Sequence, residues 1–195
     1  MKNMAKKYEF KPDKPRTGLL GKLFLTQNQR KTLLKWALYV LVLLGLSVAQ
    51  DVLFCRVRLF SATTELVPCG IFLICLAEGA ERGSIFTLIA ACLYLFSGTA
   101  AGYYCIVFIT VYAVVATCLR QAFLQKGMAS TMLCTAAAMV LYEISVFFMG
   151  VFLGLTTFGR IGGFFLTSLM TLIFAPILYP TIRSISNIGG EAWKE

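Results

Sequence analysis

Six apolar runs, each close to the length that crosses a bilayer, constrain this chain more than any other feature, because so much unbroken apolar sequence has no soluble way to be buried. They extend from Trp36 to Phe54, Leu66 to Ala80, Gly83 to Ser97, Gly102 to Leu119, Ala129 to Leu155 and Ile161 to Ile182, against roughly 20 apolar residues per membrane helix. Of 195 residues, 58% are hydrophobic and 14% charged, a balance that would leave large apolar patches on any soluble domain of this size. The expected fold is an all-α integral membrane protein, a six-transmembrane-helix bundle with N- and C-termini cytoplasmic. A basic tail over 1–35 precedes the membrane domain at 36–183, and a short tail over 184–195 follows it.

Charge supplies the orientation. With the N-terminus inside, 15 of the 18 Lys and Arg are cytoplasmic and only Arg56, Arg58 and Arg160 are external, as the positive-inside rule requires. Ten of them lie in the first 35 residues against Glu9 and Asp13, so the tail carries +8 of the net +9. Such a tail meets anionic headgroups at about 1 kcal/mol per nearby Lys or Arg; Lys22, Arg30, Lys31 and Lys35 are the candidates nearest the first span. Nucleic acid is not an expected partner. Leu19, Leu20, Leu23 and Phe24 have the spacing of one apolar stripe on a short interfacial helix, although a solvated topology signal is the plainer reading of the tail. Ser47-Val48-Ala49 resembles a signal-cleavage site, but the basic region before it is far longer than export signals carry, so the first span reads as an uncleaved anchor.

Most chemistry is excluded by what is missing. The seven cysteines form no C-x-x-C pair and the chain has no histidine, so neither a metal site nor a Ser-His, H-E-x-x-H or histidine-shuttle design is expected. Most of the cysteines sit inside apolar runs, where a thiol behaves as a small hydrophobe; Cys55, near the external face, leaves a bridge open. Asp51 is the only aspartate beyond the tail, and no phosphate-binding Gly-rich loop occurs. No enzyme activity and no cofactor are expected.

A few polar groups fall in costly places. Glu143 lies near the middle of the fifth run, where an ionised carboxylate costs roughly 2.5 to 3.5 kcal/mol or more unless paired or protonated. It serves either as a neutral helix-partner contact, the reading favoured here, or as a carrier of a proton or cationic ligand. Glu78-Gly79-Ala80-Glu81-Arg82-Gly83 separates two runs and is expected to turn on the cytoplasmic face. If the second helix continues through it, Glu78 and Arg82 pair at i, i+4; the turn is either a capped helical hairpin or a docking point for a cytoplasmic partner. Pro68 suits the opening turn of the second helix, whereas Pro176 and Pro180 favour a kink in the last. Gly150 and Gly154 form a G-x-x-x-G suited to close helix packing, on a run long enough to tilt, protrude or break near Gly150.

The order of these landmarks resembles that of the MreD family, multi-span proteins of the bacterial rod-shape machinery, in its Gram-positive form. The stretches that carry the resemblance begin with Leu46-Ser47-Val48-Ala49-Gln50-Asp51-Val52, then Arg58-Leu59-Phe60, then Ala77 through Phe86. Ser97-Gly98, Gly102-Tyr103, Leu141-Tyr142-Glu143 and Leu178-Tyr179-Pro180 follow, and together they cover about residues 36 to 183. The chain departs from the family in its long basic tail and in having Thr87, Ala91 and Leu95 where the third helix usually carries glycines and an aspartate. The resemblance implies a non-enzymatic scaffold in the bacterial cytoplasmic membrane that pairs with an MreC-like single-span protein. Through it, MreB filaments are linked indirectly to RodA and a penicillin-binding protein. It also implies helix-partner contacts at Glu143, Tyr142 and Gln50, and a cytoplasmic docking turn at Glu78, Glu81 and Arg82.

An alternative class shares the size, the six helices and the basic start: the substrate-binding S component of energy-coupling-factor vitamin transporters. The first span lacks the A-x-x-x-A face usual in that class, and the external loops offer few polar groups to a ligand. A proton-coupled carrier built on Glu143 ranks lower still, because the sequence presents no second membrane acid for a relay.

Overall fold

The computed structural model describes residues 27–54, 64–124 and 127–188, and among them the chain is helical without strands. Helix α1 spans Gln27–Ala49 and ends in a π-helical turn, Gln50–Phe54; α2 spans Leu66–Glu78, α3 Ala80–Phe96, α4 Tyr104–Phe123, α5 Met128–Phe152, and α6 Ile161–Ser186 after a 3₁₀ turn at Phe158–Arg160. Helix α1 therefore begins inside the stretch assigned to the tail. With neither Gly nor Pro between Gln27 and Trp36, nothing stops the helix from running past the apolar segment.

Helix α2 is the axis of the molecule. Every residue from Leu66 to Leu76 is buried, and α2 contacts all five other helices, which close around it in the order α1, α3, α4, α5, α6. A helix that is apolar on all sides belongs in such a place. At 13 residues it rises about 20 Å, short of a hydrocarbon core of about 30 Å, which the surrounding helices make tolerable by shielding its ends. The outer helices turn Leu41, Leu44, Ile89, Val107, Phe148 and Ile173 away from the bundle.

Four segments, Gln29–Val52, Tyr104–Phe123, Met128–Phe152 and Phe158–Ser186, are long and apolar enough to cross a membrane, the character of a multi-pass membrane protein. Threonines within the bundle donate back to the carbonyl four residues earlier, as Thr87 does to Gly83 at 2.7 Å, Thr117 to Ala113 at 2.7 Å and Thr135 to Thr131 at 2.8 Å. That satisfies their hydroxyls within their own helices, and the Thr117 hydroxyl additionally lies 3.4 Å from the Cys75 Sγ of α2.

Glycine decides two joints. Gly79, at φ +88°, is the single residue between α2 and α3, so the second helix does not continue through the acidic turn. Gly83 then lets α3 fold back against α2, where a Cβ would lie 2.8 Å from the Cys75 carbonyl oxygen.

The Gly150–Gly154 pair has a different role from the expected one. Gly154, at φ +71°, ends α5: its N–H reaches the Val151 carbonyl at 3.0 Å, and the Leu155 N–H reaches the Gly150 carbonyl at 2.8 Å. This is a Schellman cap. A Cβ on Gly150 would meet the Thr156 side chain at 2.9 Å, so that glycine makes room for the returning chain rather than for a neighbouring helix. Gly154→Ala is expected to cost about 1 to 2 kcal/mol, the penalty of a left-handed non-glycine residue, read as a lowered unfolding midpoint. Helix α6 stays one element through Pro176 and Pro180.

Candidate functional site

Each end of α2 carries a glutamate, and each glutamate organises a buried polar cluster. At the C-terminal end, Glu78 Oε1 accepts from Lys35 Nζ at 2.7 Å and from the Tyr39 hydroxyl at 2.5 Å, both one turn apart on α1. The side chains of Lys35 and Glu78 are 10% and 4% exposed, so this is an interior ion pair. Lys35 was expected at lipid headgroups; it points inward, while Arg30 and Lys31 are exposed. Trp36, Tyr39 and Phe86 pack their rings over the pair with centroids 5.2 to 5.8 Å apart.

Carbonyls at a helix C-terminus carry partial negative charge, so an acid there needs cations. Lys35 is one and Arg120 of α4 is the other, its guanidinium donating to the Leu76 carbonyl at 2.6 Å. The three residues expected to form a cytoplasmic docking turn are thus separated. Glu81 and Arg82 are exposed in the first turn of α3, where an acid suits the helix N-terminus, whereas Glu78 is held inside.

The other end gathers the residues expected to make interhelical contacts. Gln50, in the π-helical turn, accepts from the Val67 N–H at 3.2 Å, and Thr171 of α6 accepts from the Glu65 N–H at 3.0 Å. These side chains satisfy opening donors of α2, and Pro68 has none to satisfy. Tyr142 is buried with its ring edge against Phe72, centroids 6.2 Å apart, and its hydroxyl faces the Glu65 carboxyl. Burial raises that carboxyl above its ordinary value, with the Tyr142 hydroxyl opposing the shift.

Glu143 is 2% exposed and lies within electrostatic reach of Glu65. The sequence presented Glu143 as a lone membrane acid; the fold supplies the second. Glu65 closes the polar stretch Thr63-Thr64-Glu65 ahead of the apolar run and therefore read as loop. The only signal available was its place beside a proline-opened helix, where a carboxylate is favoured by the dipole. Lys22, Cys55 and the stripe from Leu19 to Phe24 lie outside the described residues.

Cys69, Cys75, Cys92, Cys105, Cys118 and Cys134 are free thiols, and no group of three or more His, Cys, Asp or Glu able to hold a metal occurs among the described residues. Polar atoms in this bundle tie helix ends to neighbouring helices. Comparison of the chain with known protein families, with curated proteins and with solved structures finds no match.

Proposed function

We propose that the chain is a non-enzymatic membrane scaffold of the MreD type, crossing the bacterial cytoplasmic membrane six times with both termini inside. In this role it pairs with an MreC-like single-span protein and, through it, couples MreB filaments to RodA and a penicillin-binding protein. The observation that carries the reading is where the family-like stretches fall. Gln50 caps α2, Gly79 and Gly83 form the hairpin inside Ala77 to Phe86, and Tyr142-Glu143 sits in the core. They occupy the joints that give a bundle of this kind its shape, which is what a shared scaffold would preserve.

In this reading the apolar outer faces of α1 and of α4 to α6 receive a partner span by van der Waals packing, since lipid and leucine are equally apolar. On the same reading, Glu81 and Arg82 face the cytoplasm, and the exposed Arg30 and Lys31 meet anionic lipid. Affinity purification of the tagged chain from its native membranes in mild detergent, with and without cross-linker, tests it. Recovery of an MreC-like protein with a cell-wall synthase is the expected result. Recovery of paired ATPases with a membrane coupling subunit would overturn it.

That outcome belongs to the second reading, an S component, and one observation favours it: polar side chains from several helices converge at the Glu65 end of α2. Against it stands α1, whose Ala37 and Ala49 do not make the A-x-x-x-A docking face.

A further inference from the structure

We propose that Glu65 and Glu143 form a binding site for a small monovalent cation, taken up in exchange for a proton, in the interior of the bundle. The carboxyls of Glu65, at the N-cap of α2, and of Glu143 in α5 stand within electrostatic reach of one another, and Oε2 of Glu65 and Oε1 of Glu143 are buried without a hydrogen-bond partner. Acceptors in that condition call for a donor or a cation.

Two hydroxyls independent of the acids meet the same description. Tyr94 of α3 is 3% exposed and Ser168 of α6 is 2% exposed; neither hydroxyl has a partner within hydrogen-bond distance, although the Gln50 and Thr99 side chains face that of Tyr94. Tyr94 lies within electrostatic reach of Glu65. Phe147 of α5 packs on Phe164 of α6, centroids 5.4 Å apart. Glu143 lies one turn before Phe147 and Ser168 one turn after Phe164, so the antiparallel helices bring the two to the same level. The other titratable groups facing the pair are Tyr142 and, from α4, Tyr104 and Cys105. Lys35 and Arg120 are committed at the opposite end of α2, about 20 Å away.

The chemistry selects the ligand. All four unfilled atoms are hard oxygens, which suits an alkali ion and not a soft metal. Divalent cations of this hardness usually gather six to eight oxygens with several carboxylates. One proton and one monovalent cation neutralise both acids. In the exchange, one carboxylic O–H gives its proton to water and the resulting carboxylate takes the cation, so charge at the site is unchanged.

The test is thermal unfolding of the full chain in mild detergent, followed by circular dichroism, in sodium, potassium or choline chloride at equal ionic strength. In choline, the midpoint should fall as pH rises from about 5 to about 8, because a buried carboxyl is tolerated while protonated and costly once ionised without a counter-ion. At about pH 8, sodium or potassium should restore the midpoint by about 3 °C over choline, the shift produced by ligand near ten times its dissociation constant. At about pH 5, where protons occupy the site, the salts should be indistinguishable. Glu143→Gln and the Glu65→Gln/Glu143→Gln pair should abolish the cation effect. Equal midpoints in all three salts at the higher pH, or an unchanged cation effect in the double variant, would overturn the site. The wild-type salt comparison decides the matter even if a variant fails to fold, and a negative result leaves the scaffold reading untouched.

Discussion

Glu78→Ala is expected to destabilise the protein by about 3 to 5 kcal/mol, because it leaves the Lys35 ammonium buried without its counter-charge. The pair is interior, with Nζ and Oε1 2.7 Å apart and the Tyr39 hydroxyl on the same oxygen, so solvent does little to screen the loss. Lys35→Ala should cost a comparable amount, since the Glu78 carboxylate is then stranded among the carbonyls that end α2. The double variant Lys35→Met/Glu78→Leu should return to within about 1 to 2 kcal/mol of the parent, because two packed apolar side chains can replace a buried ion pair. Equilibrium unfolding in a mixed detergent series measures all three. Single variants that unfold with the parent would remove the pair from any account of how α1 is held to α2.

Gly83→Val is the second large effect, expected to lower stability by about 1 to 3 kcal/mol through overpacking. The added Cβ would meet the Cys75 carbonyl oxygen at 2.8 Å and the Cys75 Cα at 3.1 Å. Both are backbone atoms, so no rotamer change relieves the contact and α3 must swing away from α2. That motion would also disturb the Thr87 to Gly83 hydrogen bond one turn further on. Serine at Gly45, where a Cβ meets nothing within 4 Å, is the control and should stay within about 0.5 kcal/mol of the parent. If the valine variant matches the serine control, the close approach of α2 and α3 does not shape the hairpin.

The helices themselves were largely legible. An α-helix satisfies its own backbone, so in an apolar medium a run of apolar residues already specifies its conformation without reference to the rest of the chain. The turn between the second and third helices was legible from the glycines that frame it, but its hinge was not: left-handed Gly79 ends a helix that the Glu78–Arg82 spacing would have let continue. The cost of burying an ionised group singled out Glu143 as a residue that must face protein, but not which groups it would face.

Pairings between distant residues were another matter. Lys35 read as a lipid contact because its neighbours Arg30 and Lys31 are basic; only the seating of α1 against the end of α2 turns it inward. Gly150 and Gly154 match the packing motif letter for letter, yet the chain reverses there, and the backbone bonds of that reversal use the glycines as a cap. Glu65 and Glu143 are separated by most of the membrane domain, and no periodicity links them. Among the described residues, the sequence by itself marked the apolar segments that become helices, because backbone hydrogen bonds and apolarity within each segment settle that. Which acids meet, and which cation each one finds, was decided by five helices closing around α2, since only that packing brings charges from separate segments into one low-dielectric space.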